Sequence, residues 1–263
     1  TTKASAQSRK LVYGRARIGG NIVYLESTGS ADHPQDNTYL WLVIAVAAHE
    51  IDAYEEVWFN DEKIWSGGNF VSTWGNFVQI GFHKGDDVAA DSDLVAASAT
   101  QSGKWTTSHK LLDTAYMVVR LKHDVDQFSR GLPNISTVIR GKKVLQRNGS
   151  TVAWSDNPAL CVYDYLKDTK YGLGESVSNI NFASVQSAVD VCNQPVDLLA
   201  GGTQTRYTIN GVVDTAGSLK SNIETMISSM AGRLVFTGGK FEVHAGSYVA
   251  PTITIDESQI VGA

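Results

Sequence analysis

The chain has 263 residues, 43% apolar and 19% charged, the proportions of a globular protein that can bury a real core. Its net charge is −5 and its Lys and Arg are scattered, which argues against the basic face that a tight nucleic-acid binder needs. No apolar run reaches the ~18 residues of a membrane-crossing helix, and the two cysteines, Cys161 and Cys192, cannot build a secreted-type disulfide framework.

Residues 1–9, TTKASAQSR, are small and polar and read as a mobile lead-in. From Lys10 the texture is that of strands. LVYGRARIGGNIVYLES predicts two β-rich halves around Gly19-Gly20, a hairpin pattern. After a loop at STGSADHPQDNT, the run YLWLVIAVAAHEI is short and rich in β-branched residues, as a buried strand is. In AYEEVWFNDEKIW, Val57 and Phe59 alternate with Glu56, Trp58 and Asn60, and residues 60–62 fit a tight turn into a returning strand. GNFVQIGFHKG and TAYMVVRLKHD supply further strands around a polar, alanine-rich excursion with one short helix. LPNISTVIRGKKVL predicts a strand–turn–strand. Residues 10–150 are thus expected to be mainly antiparallel β.

The texture changes after RNGSTVAWSDNP. A first helix is expected over 158–168, with Asn157 as N-cap and Pro158 at the first helical position, where its missing N–H costs nothing. Gly172 and Gly174 suit a left-handed turn at its C-terminal end. FASVQSAVDVC and SLKSNIETMISSMAG carry apolar stripes at helical spacing. RYTINGVVD reads as a strand, and RLVFTGGKFEVHA as a hairpin turning at Gly238-Gly239. The fold class is therefore α+β: a β-rich part followed by a small α+β domain over 151–263, with amphipathic helices laid on a sheet. No internal repeat is visible. The sequence opens without an initiator Met or a signal-peptide pattern and stops abruptly, and is expected to be a piece of a longer polypeptide.

Catalytic and ligand-binding patterns fail one by one. GRARIGG has glycines six apart, but Asn21 stands where a phosphate loop needs Lys. His49 in AHE has no second His four residues on, and His33, His83, His109, His123 and His244 are isolated. Asp86, Asp87, Asp91 and Asp93 lack the central Gly and closing Glu of a calcium loop, so a solvated acidic loop is expected. Glu55-Glu56 and Asp61-Glu62 could supply a glycosidase pair only if their spacing in the fold allowed it. Both cysteines sit in apolar helical patterns and read as reduced core thiols. The tryptophans, mostly in strand texture, favour core or subunit packing over a sugar platform. No catalytic residue, metal ligand or cofactor is expected.

The order of these blocks is more informative than any one of them. YGRARIGG, then LPNISTVIRGKKV, NPALCVYDYLKDTKYGLG, RYTINGVVD and GRLVFTGGKFEVHAG follow one another over residues 10–263. This series resembles the host-specificity or tip-attachment protein J family of long, flexible-tailed phages. Tyr13, Gly14, Arg15, Arg17, Gly19 and Gly20 carry its opening motif. Asn157, Pro158, Tyr171, Gly172 and Gly174 carry its helix, Asn210 and Gly211 its strand, and Gly238 and Gly239 its hairpin. The resemblance implies a non-enzymatic central hub that closes the distal end of the tail tube. Its β-rich part would be a tail-tube-like barrel or sandwich, and the full protein a homotrimer. It would touch distal-tail, tail-tube and tape-measure proteins, link the tube to the receptor-binding fibre, and let DNA pass. It would be assembled in the host cytoplasm and reside at the virion's distal tail tip. Receptor binding is not implied for these residues. Two alternatives stay open: a carbohydrate- or peptidoglycan-degrading tail module, and the hub of a related secretion or gene-transfer particle.

Overall fold

The computed structural model describes residues 7–30, 32–33, 36–71, 73–248, 250, 253 and 255–256. Residues 1–6 of the expected lead-in lie outside them. The strands begin with β1 (Lys10–Tyr13), β2 (Arg15–Gly19), β3 (Asn21–Thr28) and β4 (Tyr39–Ala47). β5 (Ile51–Phe59), β6 (Glu62–Ser66), β7 (Asn69–Phe70) and β8 (Val78–His83) follow, then α1 (Ser92–Ala99). β9 (Ala115–Lys122), β10 (Ile135–Leu145) and β11 (Val152–Trp154) lead to α2 (Pro158–Lys167) and α3 (Phe182–Cys192). β12 (Pro195–Asp197), β13 (Thr203–Thr205), β14 (Gly211–Asp214), α4 (Leu219–Ser228), β15 (Arg233–Thr237) and β16 (Lys240–His244) end the series. The α+β class is as expected.

Two antiparallel sheets make the β-rich part. One runs β3-β4-β9-β8; the other runs β11-β10-β5-β6-β7, with β2 also paired to β10. Their facing sides share a core that includes Leu42 and Ile44 of β4, Val57 and Phe59 of β5, and Ile139 of β10. The apolar run of β4 has a simple cause in the two-residue period of a strand. Leu42 and Ile44 face that core, whereas Trp41 and Val43 face a separate cluster with Leu94 and Trp105. β5 and β6 turn at Asn60-Asp61 as expected, with Asn60 at φ 51.

Two expectations fail here. Gly19-Gly20 is not a hairpin: β2 pairs with β10 and β3 with β4, so the chain crosses from one sheet to the other at Gly20. A Cβ there would run into the Ala45 carbonyl and the Ile44 side chain, so this is a place of close approach. Nor does Gly141 mark a turn. β10 runs through it as one 11-residue strand, and a Cβ at Gly141 would collide with the Val12 carbonyl where β1 crosses.

The second core gathers α2, α3, α4 and the small strands. α2 is buried from Pro158 to Leu166 on every side, rather than being amphipathic, because α3 and α4 pack on it as well as β10. It lacks one underlying sheet: β1-β14, β12-β13 and β15-β16 are separate two-stranded pairs. Cys161 and Cys192 are free and buried in this core. Alternate residues of β1 feed the two cores, Leu11 and Tyr13 the second and Val12 the first. Among the described residues, no helix is long and apolar enough to cross a membrane.

Candidate functional site

Four of the five ordered motifs meet in space where β1, β10 and α2 touch. β1 delivers Tyr13, whose hydroxyl donates to Asp164 Oδ2 at 2.9 Å. β10 delivers Lys142, whose ammonium lies 2.7 Å from Asp164 Oδ2 and 2.6 Å from Asp168 Oδ2. Asp164 lies on α2 and Asp168 is the residue that caps its end, and the four-residue spacing brings the two carboxylates to one side of the helix. Burial alone would lower the Lys142 pKa, but the charge of Asp164 and its bonds to both acids outweigh that and raise it. Burial would raise Asp168, and its bond to Lys142 turns the net shift downward. Burial, then the Asp164 charge, push the Tyr13 phenol well above its ordinary value. The cluster therefore stays an ion pair with a neutral phenol on it.

His49, at the end of β4, completes the joint. Its Nε2 accepts the Val12 N–H at 2.9 Å and its Nδ1 donates to the Glu50 carbonyl at 2.7 Å, an assignment that fixes the neutral tautomer. Burial, opposed by its bond to Glu50 and reinforced by the charge of Lys142, lowers its pKa to about 4. Both ring nitrogens are used in holding backbone.

The motif residues take these places. Gly14 sits between β1 and β2 at φ +65, and its carbonyl accepts from the Gly141 N–H at 2.8 Å and Trp154 Nε1 at 3.1 Å. Asn210 Oδ1 accepts the Arg15 N–H at 2.7 Å, and Gly211 pairs with Tyr13. Arg15 reaches Glu55 at 2.5 Å. Arg17 donates to Ser136 and the Asn60 carbonyl and lies over the Trp58 ring at 4.4 Å. Gly19 ends β2 opposite Ser136. Asn157 caps α2 through the Ala159 N–H at 3.0 Å, while its amide donates to the Val189 carbonyl and Asn193 Oδ1 on the neighbouring helix. Pro158 takes the first position of α2.

The end of α2 differs from expectation. Asp168, not glycine, closes it: its Oδ1 accepts the N–H groups of Lys170 and Tyr171. Gly174 has φ +76, but Gly172 is not left-handed. Its place is one of contact, since a Cβ would collide with the Tyr165 carbonyl and Asp168. Gly238 and Gly239 turn the β15–β16 hairpin as expected and stand apart from the joint. Asp164, Lys142, Asp168 and His49 were not singled out from sequence as site residues. The first three lie inside the quoted motifs, and an Asp within the apolar VYDYL was the available sign.

Nothing at the joint is set to react. Three of the four acids open to a glycosidase role are engaged, Glu55 with Arg15, Glu56 with Lys63 and Trp58, and Glu62 with Trp74, while Asp61 sits exposed in the turn between β5 and β6. The acidic stretch after β8 is also not simply solvated, for Asp91 is buried as the cap of α1. Among the described residues, no group of three or more His, Cys, Asp or Glu could hold a metal ion.

No family model matches the sequence. The chain is 24% identical over 176 residues, 58% of its length, to baseplate hub protein pb3 of Escherichia phage T5. The chain resembles part of a phage baseplate hub protein. The match spans 18% of that relative's length. A solved chain from the virion of a native gene transfer agent particle aligns with 99% of this chain and 58% of its own, at 15% identity and a TM-score of 0.47, too weak a likeness to support an inference. The sequence likeness agrees with the hub part of the motif resemblance and does not single out the protein J family. No enzyme family is indicated.

Proposed function

We propose that this chain is a structural, non-enzymatic part of a phage tail hub, resident in the virion. The likeness to a baseplate hub protein over 58% of the chain carries this reading. In the finer version, it belongs to the central hub that closes the distal end of the tail tube and connects it to the tip fibre. It would act as a homotrimer bound to distal-tail, tail-tube and tape-measure proteins. The order of the motifs supports that version, as does the convergence of all but the Gly238-Gly239 hairpin on one buried joint of β1, β10 and α2. The motif residues at the joint hold backbone and charge in place, and Glu55, Glu56 and Glu62, three of the four acids that a glycosidase could use, are tied to cations or indoles. The net charge of −5 suits a lumen through which DNA passes, because a negative wall repels phosphates.

Antibody labelling of intact and disrupted particles, viewed by electron microscopy with serum against this chain, tests the proposal. Label confined to the distal tail tip is expected. Label along the tube or on the capsid overturns the tip position, and absence from disrupted particles overturns the structural role. A zymogram on cell-wall material is expected to stay blank.

A further inference from the structure

Residues 84–114 leave the four-stranded sheet after β8 and return to it at β9, crossing its outer face. Leu94 of α1 and Trp105 cover Trp41 and Val43 of β4 and Tyr116 and Val118 of β9, and these six side chains form a buried cluster of their own. The start of this cover is fastened by one imidazole. His83 Nε2 is hydrogen-bonded to Asp91 Oδ2 at 2.9 Å, and its Nδ1 lies 3.2 Å from Asp87 Oδ2, an ion-pair contact without hydrogen-bond geometry. The ring stacks on Tyr116, centroids 4.2 Å apart and planes 4° from parallel. Asp91 Oδ1 meanwhile accepts the Leu94 N–H at 2.8 Å, so the acid that holds His83 also starts α1.

A neutral imidazole has one N–H and one lone pair. With a carboxylate at each nitrogen, the neutral ring would turn its lone pair against one of them. Only the imidazolium suits both. We propose that His83, Asp87 and Asp91 form a proton-operated latch that fastens the 84–114 cover to the sheet and releases it as pH rises.

Four titratable groups face His83: Asp87 and Asp91 from the segment after β8, Tyr116 from β9, and Tyr54 of β5, whose hydroxyl donates to the His83 carbonyl at 3.0 Å. Burial disfavours the protonated ring, but the bond to Asp91 and the charge of Asp87 outweigh it and raise the His83 pKa. A raised histidine stabilises the folded arrangement fully below the ordinary histidine value and loses that contribution as pH climbs through the folded one. Release lets go of Asp87 first, since it is the more exposed acid. It then weakens the cap of α1 and uncovers the apolar face of Trp41, Val43, Tyr116 and Val118.

Hydrogen exchange of the whole chain, compared between about pH 6 and about pH 9 after correction for intrinsic rates, reads the latch directly. Peptides within 84–114 are expected to lose protection severalfold at the higher pH, while β10 and α2 keep theirs. Asp87→Asn, a change at a partly exposed site, is expected to move the midpoint of that loss to lower pH. Unchanged protection of 84–114 overturns the proposal. So does a loss spread equally over β10 and α2, or an Asp87→Asn midpoint equal to that of wild type.

Discussion

His49 makes the joint sensitive to acid in a way that can be measured. Its folded pKa of about 4 lies below the ordinary histidine value of 6.5, because the buried ring is needed neutral, with Nε2 accepting from Val12. The unfolded chain takes up the proton first as pH falls, so the folded state loses stability between the ordinary value and about 4. Integrating the two titrations gives a loss of about 2 kcal/mol between about pH 7 and about pH 5, and about 3 kcal/mol by about pH 4. Lys142, whose pKa is raised, and Asp168, whose pKa is lowered, influence the ring but keep their own charges over that range. His49→Gln removes the titration and keeps one acceptor and one donor. Denaturant unfolding followed by tryptophan fluorescence, for both proteins at both pH values, isolates the term as a difference of differences. Wild type is expected to lose about 2 kcal/mol more than His49→Gln on going from about pH 7 to about pH 5. Parallel losses would refute the reasoning, and with it the neutral tautomer.

Two further outcomes follow from the same contacts. Gly172→Val forces a side chain into the Tyr165 carbonyl and Asp168, and is expected to cost about 2–4 kcal/mol in denaturant unfolding and to impair assembly; a protein that melts and assembles like wild type contradicts this. Asp164→Asn leaves Lys142 with a single carboxylate and is expected to cost about 3 kcal/mol, whereas Lys142→Met with Asp164→Asn costs clearly less than the two separate losses added, as a double-mutant cycle shows.

What the sequence made legible was local. The Asn157-Pro158 start of α2, the stripe of α3, the Asn60 turn and the Gly238-Gly239 hairpin each depend on residues within a few positions of one another. What it hid was partnership at a distance. β2 alternates as well for a hairpin with β3 as for its real partner β10, over a hundred residues away, so Gly19-Gly20 misled. Gly141 looks like any turn glycine until β1 is laid across it. In the joint, Asp164 and Asp168 stood one helical turn apart in plain view, but Lys142 is on a different element, and nothing local says that an ammonium will close the pair. The acidic stretch after β8 misled for the same reason in reverse. Its Asp91 has a local role as the cap of α1 and a second role through His83, which lies eight residues back.

The position of the buried charge bears on how β1 is held in register. β1 is four residues long and feeds two cores by alternation, so a slip of one residue would exchange Val12 with Leu11 and Tyr13 between them. Apolar packing alone discriminates weakly between such registers, since all three side chains are large and greasy. The polar contacts discriminate strongly. Tyr13 reaches Asp164 in one register only, and the same register sets the Val12 N–H against His49 and the Gly14 carbonyl against Gly141. A buried ion pair adds little net stability over an apolar replacement but penalises a misplaced partner heavily. The penalty acts on register rather than on net stability. The Lys142→Met, Asp164→Leu double variant should therefore fold while tolerating more than one placement of β1, a difference that exchange protection of residues 10–14 would register.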